Sequence, residues 1–376
     1  MLLLIYILLI LIGLFIRVGK WYRFAVVAFL CVLVSTNIYR ADYNIHLNLY
    51  NNSIENIYHF NLGANYGWVL LCRLGHFLNL TFDGFAIICI AISMVLIILT
   101  ITRYTKTTGL SNKVLAAFMV FPALIDLIQL RHFVAISIVI FAIRFIVDRK
   151  RFGVLYYCIA VFIATTIHSA VVIYLMFVLV LLLSDKVRKV LPVFMTVFAV
   201  LIIILTNFTT VITDISSLII GDLRTTVYIL NPITASRFET IIACFALYIC
   251  NFLLLKYATK NLNRSIIEES DVEPTSVLIK SFAADVRDCN ILLFSTLPFI
   301  FFTNDFARFP RSMTVLNCIV FASDIYYERN KDKKFRKILI YSTYILLLFV
   351  GFIFMYNYDD IVVPLFTYDK FRPIIN

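Results

Sequence analysis

The feature that most constrains this chain is a succession of apolar stretches, each close to bilayer thickness and separated by short polar connections. A spanning helix needs about twenty mostly apolar residues. Twelve stretches approach that length: 1–16, 24–39, 84–102, 114–130, 132–147, 152–167, 169–183, 190–206, 238–255, 289–303, 312–327 and 338–355. With 62% of the 376 residues hydrophobic and only 15% charged, no water-facing core could hide so much apolar surface. The expectation is an all-α integral membrane protein with about twelve transmembrane helices, one polytopic domain over residues 1–376. The first stretch has no basic region before it and no small-x-small cleavage site after it, so it reads as a retained span.

Most of the 33 Lys and Arg residues fall in every second connection, as in Arg17, Lys20 and Arg23, then Arg103, Lys106 and Lys113, then Arg149, Lys150 and Arg151. Short loops rich in these residues stay cytoplasmic. The alternation predicts both termini outside, external loops at 40–83 and 207–237, and a cytoplasmic loop at 256–288 whose mixed charges read as solvated. Within the first external loop, 66–78 spaces its apolar residues helically, with Arg73 and His76 three apart on another face. That pattern predicts an amphipathic external helix after the second span, lying at the interface or dipping into the membrane. The formal charge of +11 does not point to nucleic acid, because the basic residues are scattered among apolar segments and form no soluble patch. The eight cysteines mostly lie inside apolar stretches with no CxxC pair, and read as small embedded hydrophobes.

A charge at or within a span is costly, so it marks a cavity or a partner. Arg131 sits in Ile128-Gln129-Leu130-Arg131-His132-Phe133, a tight turn between two spans without Gly or Pro. Its planar, permanently charged fork suits a phosphate or diphosphate, and an arginine snorkelling to lipid headgroups is the plainer alternative. Arg308 and Arg311 are three apart and share a face if their segment is helical. Arg40 and Asp42 open the first external loop, and Arg237 closes the long one. Five arginines on the face opposite the basic bias call for an anionic ligand, unless Asp42, Asp305 and their neighbours neutralise them in structural pairs. His168, beside Ser169 at the outer end of a span, is a base available near neutral pH or a hydrogen-bonded structural residue. Asp126, in a span near Arg131, is a candidate partner for it or a proton relay. His46, His59 and His76 match no ligand spacing and no glycine-rich phosphate loop occurs, so neither metal nor nucleotide cofactor is expected.

The run Leu130-Arg131-His132-Phe133-Val134-Ala135-Ile136-Ser137, followed by a basic turn at 148–151 and by Thr166-Ile167-His168-Ser169-Ala170, resembles the core of the EpsG-like, Wzy-type polysaccharide polymerases. Here His132 replaces the customary amide and Ile167 the usual Phe. Tyr39-Arg40-Ala41-Asp42-Tyr43 is similar to the family's acidic and aromatic motif after the second span. Asn65-Tyr66-Gly67-Trp68 stands where an acid and a glycine are common, and the acid is missing. Arg308 and Arg311 match a later arginine region, and Val363-Pro364-Leu365-Phe366 resembles the terminal segment.

That resemblance implies a glycosyltransferase-C-like membrane architecture and glycosyl transfer at the outer face of the bacterial cytoplasmic membrane. The donor it implies is a growing glycan on undecaprenyl diphosphate, and the acceptor is one lipid-linked repeat unit, for an O-antigen, capsule or exopolysaccharide. Membrane lipids, a flippase and a chain-length regulator are the implied partners. Arg131, Arg308 and Arg311 become the diphosphate clamp, with Arg40, Arg237 and Tyr43 as further substrate-binding residues and His168 or Asp42 as the base. A lipid-linked glycan flippase and an O-antigen ligase-type transferase remain open alternatives. A flippase would line a path to both leaflets with its basic residues, whereas here they crowd outside.

Overall fold

A computed structural model of the chain describes residues 1–53, 65–182, 235–267, 274–301, 308–355 and 363–367, with single positions between 187 and 201 and at 306, 373 and 374. Most of the expected span 190–206 and nearly all of the loop 207–237 lie outside the described residues. Among the described residues the secondary structure is helical and none forms a strand. The helices in chain order are α1 (Leu2–Phe15), α2 (Trp21–Ser35), α3 (Tyr43–Asn51), α4 (Tyr66–Phe77), α5 (Phe82–Arg103), α6 (Thr108–Val120), α7 (Ala123–Ile128), α8 (Leu130–Val147), α9 (Gly153–Ile167) and α10 (Val178–Leu182). After the long undescribed stretch come α11 (Ala235–Ile267), α12 (Pro274–Leu293), α13 (Arg308–Ser312), α14 (Thr314–Tyr327) and α15 (Lys331–Met355).

Of these, α5 and α8 are by themselves long and apolar enough to cross a membrane. Helix α5 begins where the Thr81 hydroxyl accepts from the Gly84 N–H at 3.1 Å, with Asp83 in the first turn against the positive end of the helix dipole. Its two faces are both apolar. Ile90, Met94, Ile97 and Ile101 are buried, while Ile88, Ile92, Val95 and Leu99 are exposed. A helix that turns an apolar stripe away from the protein as well as toward it has lipid, not water, as its solvent. In lipid, helices associate through close packing rather than the hydrophobic effect, which favours small residues at their contacts. Accordingly Ala135 and Ala142 of α8 and Ala164 of α9, two helices in direct contact, are fully buried.

Several expected spans are broken, each for a local reason. The stretch 114–130 divides into α6 and α7, because the residue before Pro122 is forced out of the helical region and Phe121 is extended. The stretch 169–183 opens as a 3-10 helix, Ser169–Phe177, before turning α-helical at Val178. At ~2 Å rise per residue that stretch reaches further than an α-helix of equal length. The region 256–288, read from its charges as a solvated loop, is instead largely helical: α11 continues to Ile267 and α12 starts at Pro274. A buried stripe of Ile279, Phe282, Ala283, Val286 and Cys289 runs at helical spacing between the charges and packs α12 onto the bundle. The expected span 289–303 correspondingly begins inside α12 and continues as a second 3-10 helix, Phe294–Phe301.

Polar side chains lock this half of the bundle. Asn251, Asn290 and Asn317, one from each of α11, α12 and α14, are hydrogen-bonded in a ring with contacts of 2.9 to 3.3 Å. Lys337 of α15 is 2% exposed and donates to Asp324 at 2.8 Å, while Glu328 stands 2.9 Å away and Tyr341 donates to the other Asp324 oxygen at 2.5 Å. Lys337→Met strips a buried carboxylate of its cation, for which a loss of about 3–5 kcal/mol is expected. The unfolding midpoint of the purified protein checks this, and an unchanged midpoint would mean that the pair is dispensable.

The same helices have two distinct ends. At one, Arg103 at the end of α5 and Tyr104 just after it each bond Asp148 after α8 at 2.9 Å, and Arg149 reaches Asp285 of α12 at 3.0 Å. At the other lie the start of α5, the start of α8, the end of α9 and the segment after α2. The expected sorting of basic turns from isolated arginines thus corresponds to two separate ends of one bundle.

Candidate functional site

The segment after α2 is shaped by Asn37, whose side-chain Oδ1 accepts from the N–H groups of Tyr39 at 2.7 Å and Arg40 at 3.1 Å. The Asn37 amide donates to the Pro364 carbonyl, which ties the terminal Val363-Pro364-Leu365-Phe366 segment to this turn. Arg40 is thereby turned inward: it is buried, donates to the Val34 carbonyl at 2.6 Å and lies over the Tyr43 ring at 4.9 Å. Tyr43 donates to Asp83 at the start of α5, 3.3 Å away. Asp42 has φ of 62° in the left-handed region, which Asp tolerates better than most residues, and its carbonyl starts α3 by accepting from His46 N–H at 3.0 Å. Its side chain is exposed.

The helix expected over 66–78 is α4, and its buried residues Trp68, Val69, Cys72 and Gly75 follow helical spacing. It packs on α3, α5 and α9, with Leu70, Leu74 and Phe77 left exposed. Gly67 sets the approach to α9, because a Cβ there would stand 2.1 Å from the Thr166 hydroxyl and 3.0 Å from the Thr166 backbone carbon. Gly67→Ala is therefore expected to push α4 away from the end of α9 and to cost about 1–3 kcal/mol, read as a lower unfolding midpoint. Thr166 precedes His168 by two residues, so the same substitution disturbs the imidazole.

Three histidines converge here. His168 sits in the connection between α9 and the 3-10 helix, and its ring meets that of His132 edge-on at 5.1 Å. His46 of α3 faces Trp68 at 6.1 Å. Burial, and then the charges of Arg131 and Arg308, push the His168 imidazole down to about 3. Burial, and then Arg131 and Arg40, push His46 down to about 4. Both rings are therefore neutral at physiological pH, and they remain weak bases unless a bound anion offsets the neighbouring arginine charges. The Nδ1 atoms of His46, His132 and His168 are buried and make no hydrogen bond within the protein. Such atoms carry a desolvation cost that a bound polar molecule would relieve.

Arg131 lies in the first turn of α8, just after the helix break at Gln129. Arg308 and Arg311 share the short helix α13, as their spacing predicts. The charges of Arg131 and Arg308 reach His168 and those of Arg131 and Arg40 reach His46, which brings three arginines and two histidines from four parts of the chain into one electrostatic neighbourhood, the cationic cluster. Arg311 is already engaged: it donates to the Gln129 side-chain Oε1 at 2.7 Å and stands 3.4 Å from Asp126. Asp126, expected as a partner for Arg131, thus meets Arg311. The side chains of Arg237 and Asp305 lie outside the described residues.

In sequence alone His46 offers only an improbable metal ligand with His59 and His76. His59 lies outside the described residues, and His76 stacks on Tyr50 at 4.0 Å. Asp83 was missed as well. Its one signal was an acid opening an apolar helix, which helix capping explains without invoking function. His132 was visible only as a departure from a motif, and its contact with the Ser312 hydroxyl at 3.3 Å spans 180 positions.

The EpsG family profile matches residues 20–369, nearly the whole chain and all of the cluster. No curated protein and no solved structure matches it significantly. The helices with lipid-facing apolar stripes agree with a membrane protein, and the chain belongs to the EpsG family, the family of Wzy-like polysaccharide polymerases.

Proposed function

We propose that this protein joins lipid-diphosphate-linked oligosaccharide repeat units into a surface polysaccharide, working at the outer face of the bacterial cytoplasmic membrane. The observation that carries the reading is the cluster of Arg40, Arg131 and Arg308 around neutral His46 and His168 in a member of this family. The fold we propose has about twelve spans, some broken or short, in a glycosyltransferase-C-like arrangement with both termini outside. The donor is a glycan on undecaprenyl diphosphate and the acceptor a second lipid-linked unit, for an O-antigen, capsule or exopolysaccharide. A flippase would supply these units and a chain-length regulator would act beside the polymerase.

In the reaction, an acceptor hydroxyl attacks the anomeric carbon of the donor. The new C–O bond forms as the bond to the diphosphate breaks, and the electron pair leaves on the diphosphate oxygen. The chemistry needs a cationic site for that oxygen, a base for the hydroxyl proton and two lipids held in register. Arg131 and Arg308 supply the first, and Arg40, with Tyr43 stacked beneath it, borders the site. Arg237, in the first turn of α11, remains a further candidate. His168 takes the proton: a diphosphate bound to Arg131 and Arg308 offsets the charges that hold its basicity down, whereas the Asp42 carboxylate is exposed. Neither metal nor nucleotide enters this scheme.

The test is the length distribution of surface glycan in a deletion strain. Single repeats on the final carrier, restored to long chains by the wild-type gene, are expected. Complete loss of surface glycan would instead favour a flippase or a ligase, and an unchanged ladder would overturn the proposal.

A further inference from the structure

Helix α13 carries both Arg308 and Arg311 and is tied to three other parts of the fold. Tyr174 in the 3-10 helix donates to the Phe309 carbonyl at 3.3 Å. His132 of α8 meets the Ser312 hydroxyl at 3.3 Å, and that hydroxyl donates to the Arg308 carbonyl at 2.8 Å. Arg311 closes the third link, through Gln129 at 2.7 Å and Asp126 at 3.4 Å. The Arg311 and Asp126 side chains are 5% and 4% exposed. A guanidinium drawn away from this pair would leave a buried carboxylate uncompensated, which opposes any movement of Arg311 toward a ligand. Gln129 is also the residue at which α7 ends and α8 begins, two positions before Arg131. One contact therefore joins the segment carrying Arg308 to the break that presents Arg131.

We propose that Arg311 is a positioning residue and not a ligand: held by Asp126 and Gln129, it fixes α13 against the α7–α8 break so that Arg308 and Arg131 face one anion between them. The inference rests on the diphosphate-binding reading above and divides its arginines into two that bind and one that holds. Because the Arg311–Asp126 pair is electrically neutral, replacing both partners leaves the net charge of the site intact. Replacing one does not.

The test uses the full chain in lipid nanodiscs with farnesyl diphosphate as the probe, its affinity measured by calorimetry and the unfolding midpoint recorded for each variant. Arg311→Gln alone leaves Asp126 unpaired beside the site and is expected to weaken binding at least about tenfold. The double variant Asp126→Asn/Arg311→Gln, whose amides can bond each other and Gln129, is expected to return to within about threefold of wild type. A double variant as weak as Arg311→Gln would make Arg311 a ligand and overturn the inference. So would an Arg311→Gln variant that unfolds earlier yet binds as wild type, since the role would then be purely structural. If the double variant does not fold, the wild type bound to inorganic diphosphate and imaged by electron cryomicroscopy decides: Arg311 on Asp126 supports the inference, and Arg311 on the diphosphate overturns it. Arg131→Ala separates the two levels of the argument. Wild-type affinity in that variant, or no binding by the wild type, removes the diphosphate reading itself and this inference with it.

Discussion

Arg131→Ala is expected to stop chain extension while the protein remains in the membrane at normal abundance, leaving single repeats on the final carrier. Arg131 opens α8, and its charge acts on both His46 and His168, which puts it at the centre of the cluster. A donor aimed at the charge that develops on a leaving group is worth about 10²–10³ in turnover. The alanine loses both the charge and the planar fork that matches two diphosphate oxygens. Arg131→Lys keeps the charge and loses the fork, so it should retain a measurable fraction of extension. Glycan length by gel and membrane abundance by immunoblot give the comparison. A normal ladder from Arg131→Ala would remove this residue from the site, whereas a lost ladder with low abundance would assign it to folding.

His168→Gln is the second large effect expected, with a loss of about 10²–10⁴ in extension if the imidazole takes the hydroxyl proton. Glutamine keeps a polar side chain at this position and cannot serve as the base. Burial and nearby arginines hold His168 down to about 3 and His46 down to about 4, whereas an unfolded histidine takes its proton near about 6.5. The unfolded chain therefore binds more protons than the folded one between those limits. The stability these neutral rings contribute is complete above about 6.5 and is lost as pH falls through that window toward the folded-state values. The unfolding midpoint should drop on acidification from about pH 6.5 to 4, and drop less in a His46→Gln/His168→Gln double variant. Equal slopes in the two proteins would mean that these rings are not the groups that titrate.

The division of labour between sequence and tertiary structure is clear at particular residues. The span over 84–102 was legible, because hydropathy is summed over many residues and tolerates local error, whereas which of its apolar residues face lipid and which face the bundle came from packing. The α4 helix was legible for the same reason. The break at Pro122 follows from a local rule, yet the hydrophobic run continues across it and masks it in a sum over about twenty residues. The buried stripe of α12 was hidden by the charges interleaved with it, which composition counts as solvated whichever face they occupy.

The site divides in the same way. Arg40, Arg131, Arg308 and His168 stood out because a charge or an imidazole at the edge of a span is conspicuous in one dimension. Nothing in one dimension says which arginine is neutralised. The Arg311–Gln129 contact joins residues 182 positions apart, and whether a guanidinium meets a carboxylate or faces a cavity depends on a few ångströms of side-chain position. The sequence by itself determined a helical protein in lipid, its family resemblance and the collection of cations at one end of the bundle. Only the tertiary structure decided that Asp126 belongs to Arg311 and that His46 belongs with His168, since burial and pairing are properties of the packed helices and not of any segment alone.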